Sequence, residues 1–426
     1  MPKFLIATHP ITGHMLPGIP IVRELVRRGH EVHWYCGRKF REQAEAAGAR
    51  YEPYRQAYDF DDSDYNRAFP GRANLSGLDQ IRFDFLHLFM RQIAAQHRDL
   101  TRVLAQFPAD AVVGDTAMHA VLTLTETGGP PNAIYNVSCL GLPGREVAPF
   151  GLGRLPSATL PGRMRNRVLR TVASRVVFGA VSVELAQQCV AVGAAPRAFD
   201  GPPASPYLYL QPSVPGFEYP RSDLPPQVHF VGSLVPPAPD VALPEWWEEA
   251  TTSERPVVLV TQGTVATRLR DLALPAIRGL AGEDVLVVVA GVRQPEALGS
   301  LPANVRTAPF VPFGPLFPHV AAFVTNGGYG GVQYALSSGV PIVAAGTTED
   351  KAEVANRISY SGVGINLRTA TPRPGQVRDA VRTVLSEPGY RERARELRDE
   401  LAAHDGPAES AGLLERLAAT RRAVFR

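Results

Sequence analysis

AAFVTNGGYGGVQYALSSGVPIVAAGTTEDKAEV, residues 321–354, reads as an apolar strand, four glycines within five residues, a helix, a second apolar strand and an acidic turn. Strand, tight turn, helix and strand in that order make the βαβ unit of a parallel sheet. Gly327, Gly328, Gly330 and Gly331 stand between the first strand and a helix that the pattern starts at about residue 331. Bare backbone there lets amide N–H groups approach an anion at the positive end of the helix dipole. No Lys-Ser/Thr pair follows and the spacing fails GxGxxG, so this is neither an ATP-binding P-loop nor a dinucleotide fingerprint. Taken alone, the turn also fits a tight connection with no ligand.

The same alternation continues on both sides of this unit. Strands are expected at 3–10, 31–37, 109–115 and 131–138 in the first half. In the second they are expected at 228–234, 256–264, 285–291, 305–311, 321–326, 341–346 and 362–367. Amphipathic stretches such as 16–29 supply the helices between them. A chain of 426 residues exceeds one ordinary core, so two α/β domains are expected. We place them at 1–212 and 228–405, with a Pro-rich linker at 213–227 and a terminal helix within 406–426. Segments 55–85 and 140–180 are long for connections in such a fold, and loops of that length are commonly functional.

Composition narrows the function classes. Lys and Arg number 44 against 41 Asp and Glu, a balance that predicts no nucleic-acid partner. The three cysteines, Cys36, Cys139 and Cys189, form no CxxC or metal spacing. The first residues lack the apolar core of a signal peptide, and no apolar run approaches the roughly 18 to 20 residues of a membrane span. A cytoplasmic protein is expected. The ten histidines form no HExxH, the acids form no two-metal cluster and GxSxG is absent, so neither a metal site nor a Ser hydrolase is expected.

FVGSL (230–234), VTQGT (260–264), PFVPF (309–313), NGGYGG (326–331), GVP (339–341) and EDK (349–351) follow one another in an order and spacing that resembles family 1 glycosyltransferases. FLIATHPITGHMLPGIPIVRELVRRGHEV (4–32) resembles their opening strand and helix, so the resemblance covers essentially the whole chain. It implies the GT-B fold, two Rossmann-like domains facing across a cleft. It also implies a UDP- or dTDP-sugar donor, a lipophilic small-molecule acceptor, inverting transfer to a hydroxyl, and no cofactor besides the donor co-substrate. By the same resemblance Phe310 stacks on the base and the backbone of Val311 reads its edge. Thr264 and the turn of Gly328, Gly330 and Gly331 meet the diphosphate, and Asp350 accepts from sugar hydroxyls, with Glu349 beside it.

Three positions depart from the family pattern. Asn326 stands where a diphosphate-binding His is usual, and an amide cannot carry charge. Lys351 replaces a Gln, leaving sugar preference open. Tyr334 replaces a ribose-binding Glu, which points towards dTDP with UDP close behind.

Transfer to a hydroxyl requires a base, and a His oriented by a carboxylate suits the task. His14 in ITGHMLPG and Asp115 at the end of DAVVGD match the family's pair. His9 competes as base because it also follows the first strand, and His119 is read as a bystander. FDFLHLFMRQI (83–93) either lines the acceptor pocket or fills a helix core. Two rival functions stay open at this level. One is a GT-B isomerase, such as a nucleotide-sugar 2-epimerase. The other is a weakly active nucleotide-sugar-binding auxiliary protein, which Asn326 favours and an intact His14/Asp115 pair disfavours.

Overall fold

The structure is a computed structural model, and it describes residues 1–238, 241–263, 268–294 and 298–426. Two wholly parallel sheets dominate it. The first contains β1 (Lys3–Ala7), β2 (Glu31–Cys36), β3 (Arg50–Pro53), β4 (Ala111–Asp115), β5 (Asn132–Tyr135), β6 (Leu208–Gln211) and β7 (Val228–Phe230). The second contains β8 (Val257–Thr261), β9 (Leu286–Ala290), β10 (Val305–Ala308), β11 (Val320–Thr325), β12 (Ile342–Ala344) and β13 (Gly364–Asn366). The central strands read FLIA, AVVGD, VVLVT and LVVVA, apolar without alternation, because helices cover both faces of the sheet. The helix Gly18–Arg27 shows the complementary pattern, burying Ile19, Ile21, Val22 and Leu25 and turning Arg23 outward.

Strand order is β3-β2-β1-β4-β5-β6-β7 in one sheet and β10-β9-β8-β11-β12-β13 in the other. Each order reverses direction once, between β1 and β4 and between β8 and β11. At such a reversal the connecting helices diverge to opposite faces and leave a crevice beyond the strand ends, where open α/β sheets bind ligands.

The expected domain boundaries need correction. Val228 pairs with Tyr209, so β7 closes the first sheet and does not open the second domain. The expected linker at 213–227 is therefore the β6–β7 connection. Its Val214 and Phe217 are fully buried in the second domain's core beside Phe323 and Val332, which makes it a wedge between the halves. Gly406–Thr420 forms the terminal helix, and it returns to the first domain. Its Leu414 and Leu417 share a core with Ile21 and Leu25, and Glu415 holds both Arg28 (2.9 Å) and His30 (2.7 Å). Strands β3 and β6 were absent from the sequence expectations.

A buried ionic cluster joins the halves. Arg357, on the second-domain helix Lys351–Tyr360, donates to Glu218 (2.6 Å), Glu353 (3.2 Å) and the Leu140 carbonyl (2.7 Å), with its guanidinium over the Tyr219 ring. Glu353 in turn accepts the amides of Gly151 (3.0 Å) and Gly153 (2.8 Å) from the first domain. Removing one partner from such a cluster leaves an uncompensated buried charge.

Candidate active site

At the β1/β4 crevice the chain leaves β1 through His9 and turns through Thr12–Met15, which carries His14. The turn is braced from two sides. The Thr12 amide donates to Asp62 (2.7 Å) and the Tyr135 hydroxyl donates to the His14 carbonyl (2.8 Å). Asp115, the last residue of β4, is fully buried and accepts from His14 Nδ1 at 2.8 Å. It also accepts the backbone amides of His9 and Ala117, each at 2.7 Å. Burial alone would raise the Asp115 carboxyl, but His14 and His9 outweigh it and hold the group far below the usual carboxylate range. In the neutral form of His14, an ionised Asp115 favours the tautomer with the proton on Nδ1, whose Nε2 can accept one.

His9 is not equivalent. Its side chain is wholly buried, whereas that of His14 is 15% exposed. Gln96 lies against His9 Nε2 (3.2 Å), and Nδ1 points at Asp115 (3.4 Å). His9 is thus enclosed by protein groups, and its ring and backbone amide both face Asp115. His9, His14 and Asp115 are also the one group of three potential metal ligands found within 4.8 Å among the described residues. The contacts just described already engage both Asp115 oxygens and both His9 nitrogens. His119 is buried as well, and burial pushes it down to about 3, a neutral residue outside this network.

Phe89 stacks on His14 (ring centroids 6.1 Å apart) and meets His9 edge-on (5.2 Å). It ends the π-turn Phe85–Phe89, a local widening of a helix that often marks functional positions. Phe85 packs on Phe178 and Phe199, while Phe60, Phe69 and Leu88 gather around Ile11. Segments 55–85 and 83–93 therefore bring an aromatic wall to the histidine pair. Phe89, Gln96 and Tyr135 escaped the sequence reading. FDFLHLFMRQI contains the first, but nothing in its pattern tells which ring faces the histidine.

The β8/β11 crevice is built from backbone. The helix after β11 begins at Tyr329, two residues before the expected start, and Gly328 is its N-cap. Asn326 accepts the Gly328 amide (3.2 Å) and donates to the Gln262 carbonyl at the end of β8, so it ties the two loops of the crevice together. With the Gly328 amide taken, the first-turn amides of Tyr329, Gly330 and Gly331 are those a helix start leaves without intrahelical partners. Gly327 holds φ of 92°, a left-handed conformation suited to glycine, whereas Gly331 serves packing because a Cβ there would lie 3.1 Å from the Phe323 ring.

Around this turn, Phe310 is 52% exposed while Val311 is buried in the core, so the flat ring faces outward at the end of β10. Asp350 lies below, its carboxylate accepting the Ser138 hydroxyl from the first domain, and burial raises it above the usual carboxylate range. Lys351 is buried and paired with Glu349, which itself sits in the left-handed region (φ 56°), a strained conformation for a residue with a side chain. Tyr334 packs against Phe313 and Phe317, and its hydroxyl donates to the Pro236 carbonyl (2.9 Å). Thr264 lies outside the described residues.

Known proteins carry the same architecture. Residues 276–417 match the family described as Erythromycin biosynthesis protein CIII-like, C-terminal domain. The chain is 46% identical over 420 residues to 4'-demethylrebeccamycin synthase of Lentzea aerocolonigenes, covering 97% of this chain and 99% of that one. It is 35% identical to UDP-glycosyltransferase 2 of Phaeomoniella chlamydospora, covering 98% and 96%. The crystal structure of the calicheamicin glycosyltransferase superimposes with a TM-score of 0.74 over 99% of both chains, at 22% identity, and shares the fold. The chain belongs to the GT-B glycosyltransferases of the bacterial natural-product type, and it is an enzyme of that class. No helix among the described residues is long and apolar enough to cross a membrane.

Proposed function

We propose that this enzyme moves a sugar from a UDP- or dTDP-sugar to a hydroxyl of a lipophilic natural-product acceptor, with inversion at the anomeric carbon. His14 Nε2 takes the proton of the acceptor hydroxyl as its oxygen attacks that carbon. The bond from the carbon to the diphosphate oxygen breaks, and the nucleoside diphosphate leaves with the electron pair. Asp115 fixes the tautomer of His14 and stabilises the imidazolium that forms. The observation that carries this reading is the 2.8 Å contact of His14 with a fully buried, ionised Asp115 at the crevice between β1 and β4. The exposed Phe310 and a helix start whose first-turn amides lack intrahelical partners support a nucleotide diphosphate at the other crevice. Asp350 is assigned to the sugar hydroxyls and the Phe89 wall to the acceptor. With Asn326 neutral, the leaving charge falls chiefly on amides, and no metal or further cofactor is assigned to the step.

Calorimetric titration with UDP and dTDP, joined to turnover assays on apolar hydroxyl-bearing acceptors, tests the assignment. His14→Ala should lower turnover by about 10²–10⁴-fold and leave nucleotide affinity unchanged. Retained turnover would remove His14 as base, and absence of binding for both nucleotides would remove the donor assignment.

A further inference from the structure

The helix Leu160–Val172, extended by the π-turn Ala173–Val177, is built inside out. Amphipathic helices of globular proteins turn their apolar stripe to the core. Here the inner face is polar: Arg163 donates to Glu146 (2.7 Å), Asn166 to the Arg145 carbonyl (3.3 Å) and Arg170 to the Gly144 carbonyl. The outer face carries Leu160, Met164, Val168, Val172 and Val176, spaced four apart in one stripe and between 45% and 80% exposed. Five aligned apolar residues facing water form a patch, unlike scattered surface leucines.

Charge says what covers the patch. Arg165, Arg167 and Arg175 on this segment and Arg154 in the loop before it are exposed, and none has a carboxylate partner among the described residues. No Asp or Glu occurs between Glu146 and Glu184. A second copy meeting this face across a two-fold axis would set arginine against arginine. An apolar stripe rimmed by arginines without carboxylate partners complements a surface that is apolar in depth and anionic at its rim, which describes an acidic lipid bilayer. Of these arginines, Arg165 donates among the described residues only to the Asn166 amide oxygen (3.0 Å) and the Leu155 carbonyl (3.4 Å). The helix also ends beside the aromatic wall. The Val177 carbonyl accepts from Arg82 (2.8 Å), and Phe178 packs on Phe85, whose neighbour Phe89 stacks on His14.

We propose that residues 160–177 dock on an anionic lipid surface, lying in the interface with the arginines at headgroup level, and that this brings the acceptor side of the cleft to the bilayer. Only that last clause rests on the proposed function, because the docking itself needs no turnover.

The experiment is co-sedimentation of the full chain with phosphatidylcholine vesicles, with and without phosphatidylglycerol, at low and high salt. Wild type should sediment with the acidic vesicles only, and less at high salt. The double variant Met164→Asp/Val168→Asp should stay in the supernatant. Arg165→Glu/Arg167→Glu should partition at least about 30-fold less and lose most of the salt dependence. The arginine pair also guards against misfolding of the first variant, and each variant's thermal unfolding is compared with wild type. Wild type left in the supernatant, equal sedimentation with neutral vesicles, or folded variants that sediment like wild type would each overturn the proposal. So would light scattering that shows a wild-type dimer made monomeric by Met164→Asp/Val168→Asp. A protein that docks yet turns over no apolar acceptor would leave the docking standing and sink the proposed acceptor assignment, and the reverse result would do the opposite.

Discussion

The two crevices occupy equivalent places in two similar sheets and are built by opposite means. At the β1/β4 crevice the chemistry lies in side chains: an ionised Asp115, two histidines and a Gln96 amide hold one another within hydrogen-bond reach. At the β8/β11 crevice it lies in backbone, with Asn326 spending its amide on two loops and the helix start offering bare N–H groups. On the proposed function, the contrast follows from two tasks. Moving a proton needs a group whose charge changes during the reaction. Holding a diphosphate needs fixed partial charges that stay where they are. The first crevice should therefore be unforgiving of single side-chain changes, and the second should give way by degrees.

Asp115→Asn is the most severe way to test that contrast. It removes the charge that sets the His14 tautomer, and turnover should fall about 10³–10⁴-fold with donor KM near wild type, read by steady-state kinetics. Stability should report the same carboxylate. Its folded pKa lies below the unfolded value, so its contribution is complete above about pH 4 and is lost as pH falls through the folded pKa. Wild-type unfolding free energy should thus decline more steeply than that of the variant in acid below about pH 4. Parallel curves would mean that Asp115 is not held ionised.

Asp350→Asn moves to the second crevice, where the carboxylate is raised by burial and faces Ser138. Loss of a charged acceptor for sugar hydroxyls should cost about 1.5–3 kcal/mol in kcat/KM for the donor, with affinity for the free nucleotide unchanged. The sign of its stability effect is the reverse of that for Asp115. A folded pKa above the unfolded one means that wild type loses stability as pH rises from about 4 through the folded pKa, and the variant escapes that loss. Phe310→Ala comes next. A half-exposed ring contributes little to folding, so stability should shift by no more than about 0.5 kcal/mol. Donor KM should rise by about 1–3 kcal/mol equivalent with kcat retained. A matching loss of kcat would show that the two crevices are coupled more tightly than their construction suggests.

How much of this could be read from the sequence follows from where the information sits. The central strands were legible because five-residue runs such as VVLVT admit few other readings. Strands β3 and β6, RYEP and LYLQ, are four residues long and carry no comparable run, while the Pro-rich approach to β7 has the composition of a linker. His14 and Asp115 were singled out by the resemblance of ITGHMLPG and DAVVGD to the family's pair, and the structure brings the two side chains to 2.8 Å. The Ser138 contact with Asp350 spans 212 residues of sequence, and the stacking of Phe89 on His14 depends on a π-turn that no hydrophobic period announces. Asn326 was visible as the replacement for a diphosphate-binding His, but its ties to the Gln262 carbonyl and the Gly328 amide could not be read from the sequence.

Tyr334 gives the mildest and most discriminating test of the backbone-built crevice. Its ring belongs to the cluster of Phe313 and Phe317, and its hydroxyl is committed to the Pro236 carbonyl at 2.9 Å. A residue engaged in this way braces the segment after β7 and replaces the expected ribose-binding Glu in position only. Tyr334→Phe keeps the ring packing and deletes one hydrogen bond, so unfolding should lose about 0.5–1.5 kcal/mol in denaturant titrations. The preference between UDP and dTDP should not move, because the hydroxyl points at the protein's own carbonyl. A changed ratio of the two nucleotide affinities, measured by calorimetry, would put Tyr334 at the ribose after all, and the discrimination between the two nucleotides would then rest partly on a side chain within a crevice otherwise made of amides.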